Sequence, residues 1–185
     1  MNRRFPICAA MLAAVLLAGC ASRPPARYYT LDMRPSGHVT TAVNLRIERL
    51  RECEALGRKD ILVRKNPTQI EYYALDQWVA APGEMVSQKL ESEFGQPQVG
   101  RKTIVVTGMI LEFGQVDVSG GAEADIRLAL EFRSDSANRY DEPLLKKAYE
   151  VKKPASARTP AAVVQSLSDC LEDIAVQIAG DAAAL

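Results

Sequence analysis

Residues 124–132 constrain the fold more than any other stretch. Ala124, Ile126, Leu128, Leu130 and Phe132 alternate with Asp125, Arg127, Glu131 and Arg133. Successive side chains on a strand point to opposite faces. The segment is therefore a strand with one dry face and one wet face. A sheet built around it needs a cover on the dry side only.

The remaining elements fit that requirement. Val43, Leu45 and Ile47 alternate with Asn44, Arg46 and Glu48, which reads as a second half-buried strand. Ile61–Arg64 and Ile70–Leu75 flank Asn66-Pro67-Thr68 and read as a hairpin. Ile104–Phe113 is a long apolar strand with Gly108 at the position of a bulge. Ser119-Gly120-Gly121 turns it into the alternating segment. A polar region, Ser134–Glu142, leads to a last strand marked by Leu145, Tyr149 and Val151. Tyr28–Leu31 reads as a first strand, broken by Pro35-Ser36-Gly37.

Two segments change period. Met85, Val86, Leu90 and Phe94 share a helical face, with Pro82 in the first turn and Gly95 as the C-terminal cap. Thr159-Pro160 opens a second helix with the stripe Val163, Leu167, Leu171, Ile174 and Ile178. Cys170 sits at the edge of that stripe, which makes it at least half buried. After the initial strand, the order is βββ-α-βββ-α. Hairpin-length connections argue for a mainly antiparallel sheet. Two helices on one face then give an α+β two-layer sandwich. The two halves repeat in element order, with no sequence identity between them.

Motifs for chemistry are sparse. His38 is the single His and lies in a Gly-containing loop, and no G-x-S-x-G pattern accompanies it. One His and scattered Cys give no zinc spacing. Gly95–Gly100 with Arg101-Lys102-Thr103 approximates a phosphate-binding loop, but an Arg precedes the Lys and the loop joins a helix to a strand. A helix cap followed by a turn explains it better. The pairs Glu123 and Asp125, and Glu172 and Asp173, have no flanking group that raises a pKa. Lys146-Lys147 and Lys152-Lys153 read as strand-edge lysines that block aggregation, or as contacts to anionic headgroups. Tyr72 and Tyr73 point to opposite faces of one strand, so at most one is core. Trp78 stands at a strand-to-helix junction, as a core-edge residue or an interface anchor. Tyr73 and Trp78 are the candidate partner-facing aromatics.

The amino terminus supplies an address. Arg3 and Arg4 precede an apolar run that ends in Leu17-Ala18-Gly19-Cys20. A basic start, an apolar stretch and small exit residues make a signal peptide. Ile7–Ala18 is too short to span a bilayer as an anchor helix. The exit resembles the lipobox of bacterial lipoproteins. That resemblance implies removal of residues 1–19, a thioether-linked lipid on Cys20, and an amino terminus acylated by a fatty acid such as palmitate. Residues 20–27 then form a tether stiffened by Pro24-Pro25, and 28–185 form a single domain. Ala21 is not the Asp that retains many such lipoproteins at the inner membrane, so the expected home is the inner leaflet of the outer membrane.

Composition agrees. The chain has 23 basic and 23 acidic residues, and losing Arg3 and Arg4 leaves 21 against 23. No basic excess marks a nucleic-acid binder. With Cys8 removed and Cys20 lipidated, Cys53 and Cys170 remain. They form one disulfide if the two side chains meet and two buried thiols if they do not.

The chain resembles the auxiliary lipoproteins of ABC-type transport systems, the family that includes the paraquat-inducible lipoprotein. The resemblance rests on the lipobox at Cys20, the Tyr28-Tyr29-Thr30-Leu31 strand, the Tyr72…Trp78…Pro82 segment entering a helix, and the late strand before a C-terminal amphipathic helix. Cys53 and Cys170 are not part of its pattern. It implies a non-enzymatic role without a cofactor, beside a mammalian-cell-entry (MCE) protein, a permease and an ATPase that move phospholipids or other hydrophobic molecules between two membranes. Homo-oligomerisation is a further implication of the family. The alternative is an assembly lipoprotein of lipopolysaccharide export or a secretion apparatus.

Overall fold

A computed structural model describes residues 24–33, 35, 42–138 and 140–185 of the chain. In chain order the strands are β1 (Arg27–Tyr29), β2 (Asn44–Ile47), β3 (Arg51–Glu52), β4 (Asp60–Asn66), β5 (Gln69–Trp78), β6 (Thr103–Val118), β7 (Gly121–Ser134) and β8 (Leu145–Pro154). Helix α1 (Pro82–Phe94) follows β5, and α2 (Pro160–Ala183) follows β8. A 3-10 turn, Glu54–Leu56, follows β3.

The long strand β6 organises the sheet. One of its edges pairs with β7 along the whole strand, from Ile104 opposite Ser134 to Val118 opposite Gly121. The other edge takes β2, β3 and β4 one after another, all parallel to it. β8 extends the sheet beyond β7, and β5 and then β1 extend it beyond β4. The longest ladders are antiparallel, as the hairpins imply, and the sheet as a whole is mixed. The parallel pairs follow from connectivity: β4 reaches β6 only through β5 and α1, a crossover long enough for parallel pairing.

The alternation in β7 works as the sequence requires. Ala124, Ile126, Leu128, Leu130 and Phe132 are buried, and Ile104, Val106, Ile110 and Phe113 of β6 join them. Val163, Leu167, Leu171, Ile174 and Ile178 of α2 close this core. Each such side chain contributes roughly 1.5–3 kcal/mol by leaving water. Among the described residues no helix covers the opposite side of β6–β8, which carries the charged residues of the alternation.

Both helix starts match their sequence signals, with one surprise. Pro160 is the first residue of α2, and Thr159 Oγ1 accepts from Ala162 N at 3.4 Å. Pro82 likewise begins α1, but Ala81 has no side chain to cap it. The cap comes from a distant strand: Glu52 Oε1 accepts from Gly83 N at 2.9 Å. A carboxylate there also suits the positive end of the helix dipole. A Cβ at Gly83 would lie 2.1 Å from Leu50 O, so the approach of α1 to this connection requires glycine.

The structure adds to the sequence reading at three places. The two-residue strand β3 and its 3-10 turn have no periodicity to betray them. The bulge in β6 falls between Ile110 and Glu112 rather than at Gly108. Gly108 serves close packing, since a Cβ there would meet Ala129 O at 2.2 Å. Of the two outcomes left open for Cys53 and Cys170, the structure has the free thiols. The Cys53 thiol donates to Leu111 O at 3.4 Å beside β6, while Cys170 is fully buried in α2.

Burial pushes the Cys170 thiol up to about 12. In the folded chain at pH 8, Cys170 is therefore expected to resist iodoacetamide for hours, while half-buried Cys53 reacts. In urea both should label at similar rates. Peptide mass mapping of the alkylated chain reads both outcomes.

Candidate docking face and tether root

The first strand is short and held by a charge. β1 pairs with β5 in parallel, Arg27 opposite Asp76 and Tyr29 opposite Trp78. Three residues of ladder hold weakly, and a side-chain clamp reinforces them. Arg27 Nε and Nη2 donate to the two oxygens of Asp76 at 2.7 and 2.9 Å. The Tyr29 hydroxyl donates to Asp76 Oδ1 at 2.9 Å. Two parallel N–H···O bonds fix geometry as well as charge. The hydrogen bond from Arg27 holds the Asp76 carboxyl below the usual range, against the effect of burial. Beyond β1 the chain runs on between the helices: Asp32 N donates to Ser168 Oγ at 2.9 Å, and Lys89 Nζ to Met33 O at 3.3 Å.

A second polar network lies close to the clamp. The Tyr73 hydroxyl donates to Gln115 Oε1 at 2.6 Å, and Gln115 Nε2 donates to Asp117 Oδ1 at 2.6 Å. Lys65 completes it at 2.9 Å from Asp117 Oδ2. Burial works to raise Asp117, but the bonds from Lys65 and Gln115 hold it below its ordinary value. Burial and the Asp117 charge raise Tyr73, so it stays a neutral donor.

The uncovered face of β6–β8 is ordered by ion pairs. Lys146 and Arg133 both reach Glu131, at 3.2 and 2.9 Å. Lys152 lies 2.9 Å from Glu150 and 3.3 Å from Asp125. On the helix side, Lys147 meets Asp181 at 2.7 Å and Lys153 meets Asp173 at 2.8 Å. All four lysines of β8 are thus tied to carboxylates of the same domain. Asp125 is the exception to a satisfied surface. It is buried, its Oδ1 has no partner among the described residues, and burial raises its pKa despite Lys152.

The sequence candidates separate. Trp78 is 1% exposed and packs on Phe113 with ring centroids 5.0 Å apart. It is a core residue and presents no surface to a partner. Tyr73 is half buried with its hydroxyl engaged. Tyr72 lies on the other side of the strand, its hydroxyl donating to Ala55 O at 2.8 Å and Arg58 stacked 4.5 Å over its ring. The structure brings Tyr73 into the network beside Asp76 and separates it from Trp78. Cys20 and His38 lie outside the described residues. Gly95 caps α1 with φ of 73°, and the chain passes from there into β6, so the loop lacks the strand-to-helix setting of a phosphate cradle. Sequence reasoning missed Asp76. It named Asp125 in the pair with Glu123 but found nothing to raise its pKa, and the alternation in β7 pointed it to solvent, whereas the sheet buries it.

Comparison with known proteins now decides the family. Residues 29–179 match the family model described as ABC-type transport auxiliary lipoprotein component. The chain belongs to this family. The auxiliary lipoprotein fold also recurs in solved structures. Protein XCC0632 from Xanthomonas campestris, described under the family model DUF330, is 15% identical, with a TM-score of 0.64 over 83% of this chain and 91% of that one. An uncharacterized protein is 11% identical, with a TM-score of 0.67 over 85% of this chain and 99% of that one. No curated protein sequence matches the chain. The family is a transport component rather than an enzyme class. Among the described residues, no helix is long and apolar enough to cross a membrane, and no group of three or more His, Cys, Asp or Glu could hold a metal.

The clamp carries a pH signature. A carboxyl with a depressed folded-state pKa stabilises the fold at pH values above its unfolded value near 3.9. That contribution is lost as pH falls through the lower folded value. Asp76→Asn is therefore expected to lower the melting midpoint by roughly 5 °C at pH 7, and by progressively less below pH 4. Thermal melts of the two proteins from pH 7 to pH 2.5 give the comparison. A difference independent of pH would mean that the charge of Asp76 is not what holds β1.

Proposed function

We propose that the chain is a lipoprotein anchored through Cys20 in the inner leaflet of the outer membrane, where it docks the periplasmic part of an MCE-type ABC transport system. The observation that carries this reading is the family match across residues 29–179. The signal-like segment ending at Cys20 and the clamp at Arg27 support it. On this reading a lipid on Cys20 is joined, through a proline-stiffened tether of residues 20–27, to a folded domain that grips the end of that tether.

The fold suits tethering. Force on the tether enters the domain at Arg27 and is met at once by the Arg27–Asp76 pair and the Tyr29 hydroxyl. From there it spreads through β5 into β4 and β6. The uncovered face of β6–β8, with its ordered charges, is the surface offered to the transporter. The system's cargo on this reading is phospholipid or another hydrophobic molecule. The domain takes no part in bond-making chemistry and needs no cofactor beyond the covalent lipid. Several copies around one transporter would give that transporter a ring of anchors.

The test is co-purification of the full chain in gentle detergent. The expected result is recovery of an MCE-domain protein with the wild type, and a mature amino terminus at lipidated Cys20 by mass spectrometry. Cys20→Ala is expected to leave the domain folded but lose membrane retention. Consistent recovery of lipopolysaccharide-export or secretion components, with no MCE-domain protein, would favour the alternative assembly role and contradict this one.

A further inference from the structure

The uncovered face is not evenly charged, and the strand register shows how. Arg51 stands opposite Met109, Met109 opposite Ala129, and Ala129 opposite Ala148. On one side of this row stand Thr107, Glu131 and Lys146 in register. On the other stand Glu112, Arg127 and Glu150. Met109, Ala129 and Ala148, short or apolar, therefore lie between two rows that carry charge, and Arg51 ends their own row. Rows on one face of a strand are about 7 Å apart, so the flanking rows stand about 14 Å apart. Three interstrand spacings give the trough a length of about 14 Å. A cavity of about 690 Å³ lies over this row and the Thr107, Glu131 and Lys146 row beside it, within the range of small-molecule sites.

Charge is unequal along the trough. Glu131 is answered twice, by Arg133 and Lys146. At the other end, Arg49 and Arg51 line the cavity with Glu48. Both arginines are exposed, and among the described residues neither has an ion-pair partner. Leu50 between them is fully buried, and its N–H donates to Ser87 Oγ at 2.8 Å, so the connection is pinned and holds the arginines at the rim. The far end opens at Ala148 on β8, the edge strand of the sheet. A chain longer than the trough runs off the sheet there without obstruction.

We propose that this trough binds an anionic phospholipid. The phosphodiester sits at Arg49 and Arg51, whose planar forks match phosphate oxygens. The first methylenes of one acyl chain lie over Met109, Ala129 and Ala148. An acidic peptide would satisfy the arginines, but laid across the strands it would leave its backbone N–H and C=O groups over methyl groups without partners. A hydrocarbon chain has no such groups. The inference rests on the trough itself and is tested on the protein without any transporter component.

The full mature chain in maltoside detergent is titrated with dihexanoyl-phosphatidylglycerol below its micelle concentration. Dihexanoyl-phosphatidylcholine, inorganic phosphate and a glutamate-rich heptapeptide form separate arms. Phosphatidylglycerol is expected to bind saturably and about tenfold or more tighter than the other three. Ala148→Phe fills the trough from an exposed position, and Arg51→Gln removes one fork. Each should weaken phosphatidylglycerol about tenfold while the circular dichroism spectrum and melting midpoint stay at wild-type values. Val176→Gln, on the exposed side of α2, should bind as wild type. Equal binding of inorganic phosphate or of phosphatidylcholine, preference for the peptide, wild-type affinity in Ala148→Phe, or no binding of phosphatidylglycerol would each overturn the proposal. Loss of transporter co-purification with lipid binding intact would contradict the docking role and leave the trough standing.

Discussion

The β6–β7 ladder is the constraint on which the rest of the structure depends. It is long, antiparallel and apolar on one side only. A dry side of that length needs more than one element to cover it, and α2 covers β7 and β8 while α1 sits over β2 and β6. The free edge of β6 is longer than β2, β3 or β4, so the chain fills it in three pieces. The breaks between those pieces are where irregular features gather. Leu50 tucks under α1, Glu52 turns back to cap that helix, and Cys53 meets the main chain of β6.

That arrangement explains what was legible in the amino-acid sequence. Long periodic elements were clear, because period and burial reinforce each other over many residues: β7, the stripe of α2, and the Pro82 and Thr159-Pro160 starts. β3 was not, since two residues have no period. The cap of α1 was hidden because its acceptor lies on another strand. The parallel partners of β6 were hidden because local spacing announces only hairpins. Trp78 shows the limit of composition: an aromatic at a junction reads as an anchor or as core, and only the packing against Phe113 decides.

The candidate site was harder to read, for a physical reason. Its parts are made by register rather than by motif. Asp76 acquires its role from Arg27 and Tyr29, nearly fifty positions earlier. The four lysines of β8 look like solvated edge charges until each is seen to hold a carboxylate of its own domain. The trough exists because Met109, Ala129 and Ala148 happen to stand side by side on three strands, which no single segment reveals. Asp125 shows the same point from the other direction. Alternation assigned it to water, and the sheet around it buried it with one oxygen unpartnered.

On this account the molecule has two working faces with different tasks. The helix side makes the domain stable, and under the proposed function the uncovered sheet side is the one that would meet the transport machinery while the clamp at Arg27 would hold the tether. Site-specific photo-crosslinking in cells tests the division most directly. A photoreactive residue replaces Arg127 or Glu150 on the sheet face, and Gln165 or Glu172 on the outer side of α2, in the full chain. The account predicts that an MCE-domain protein is captured from the sheet-face positions and not from the helix. Capture from α2 alone would contradict it.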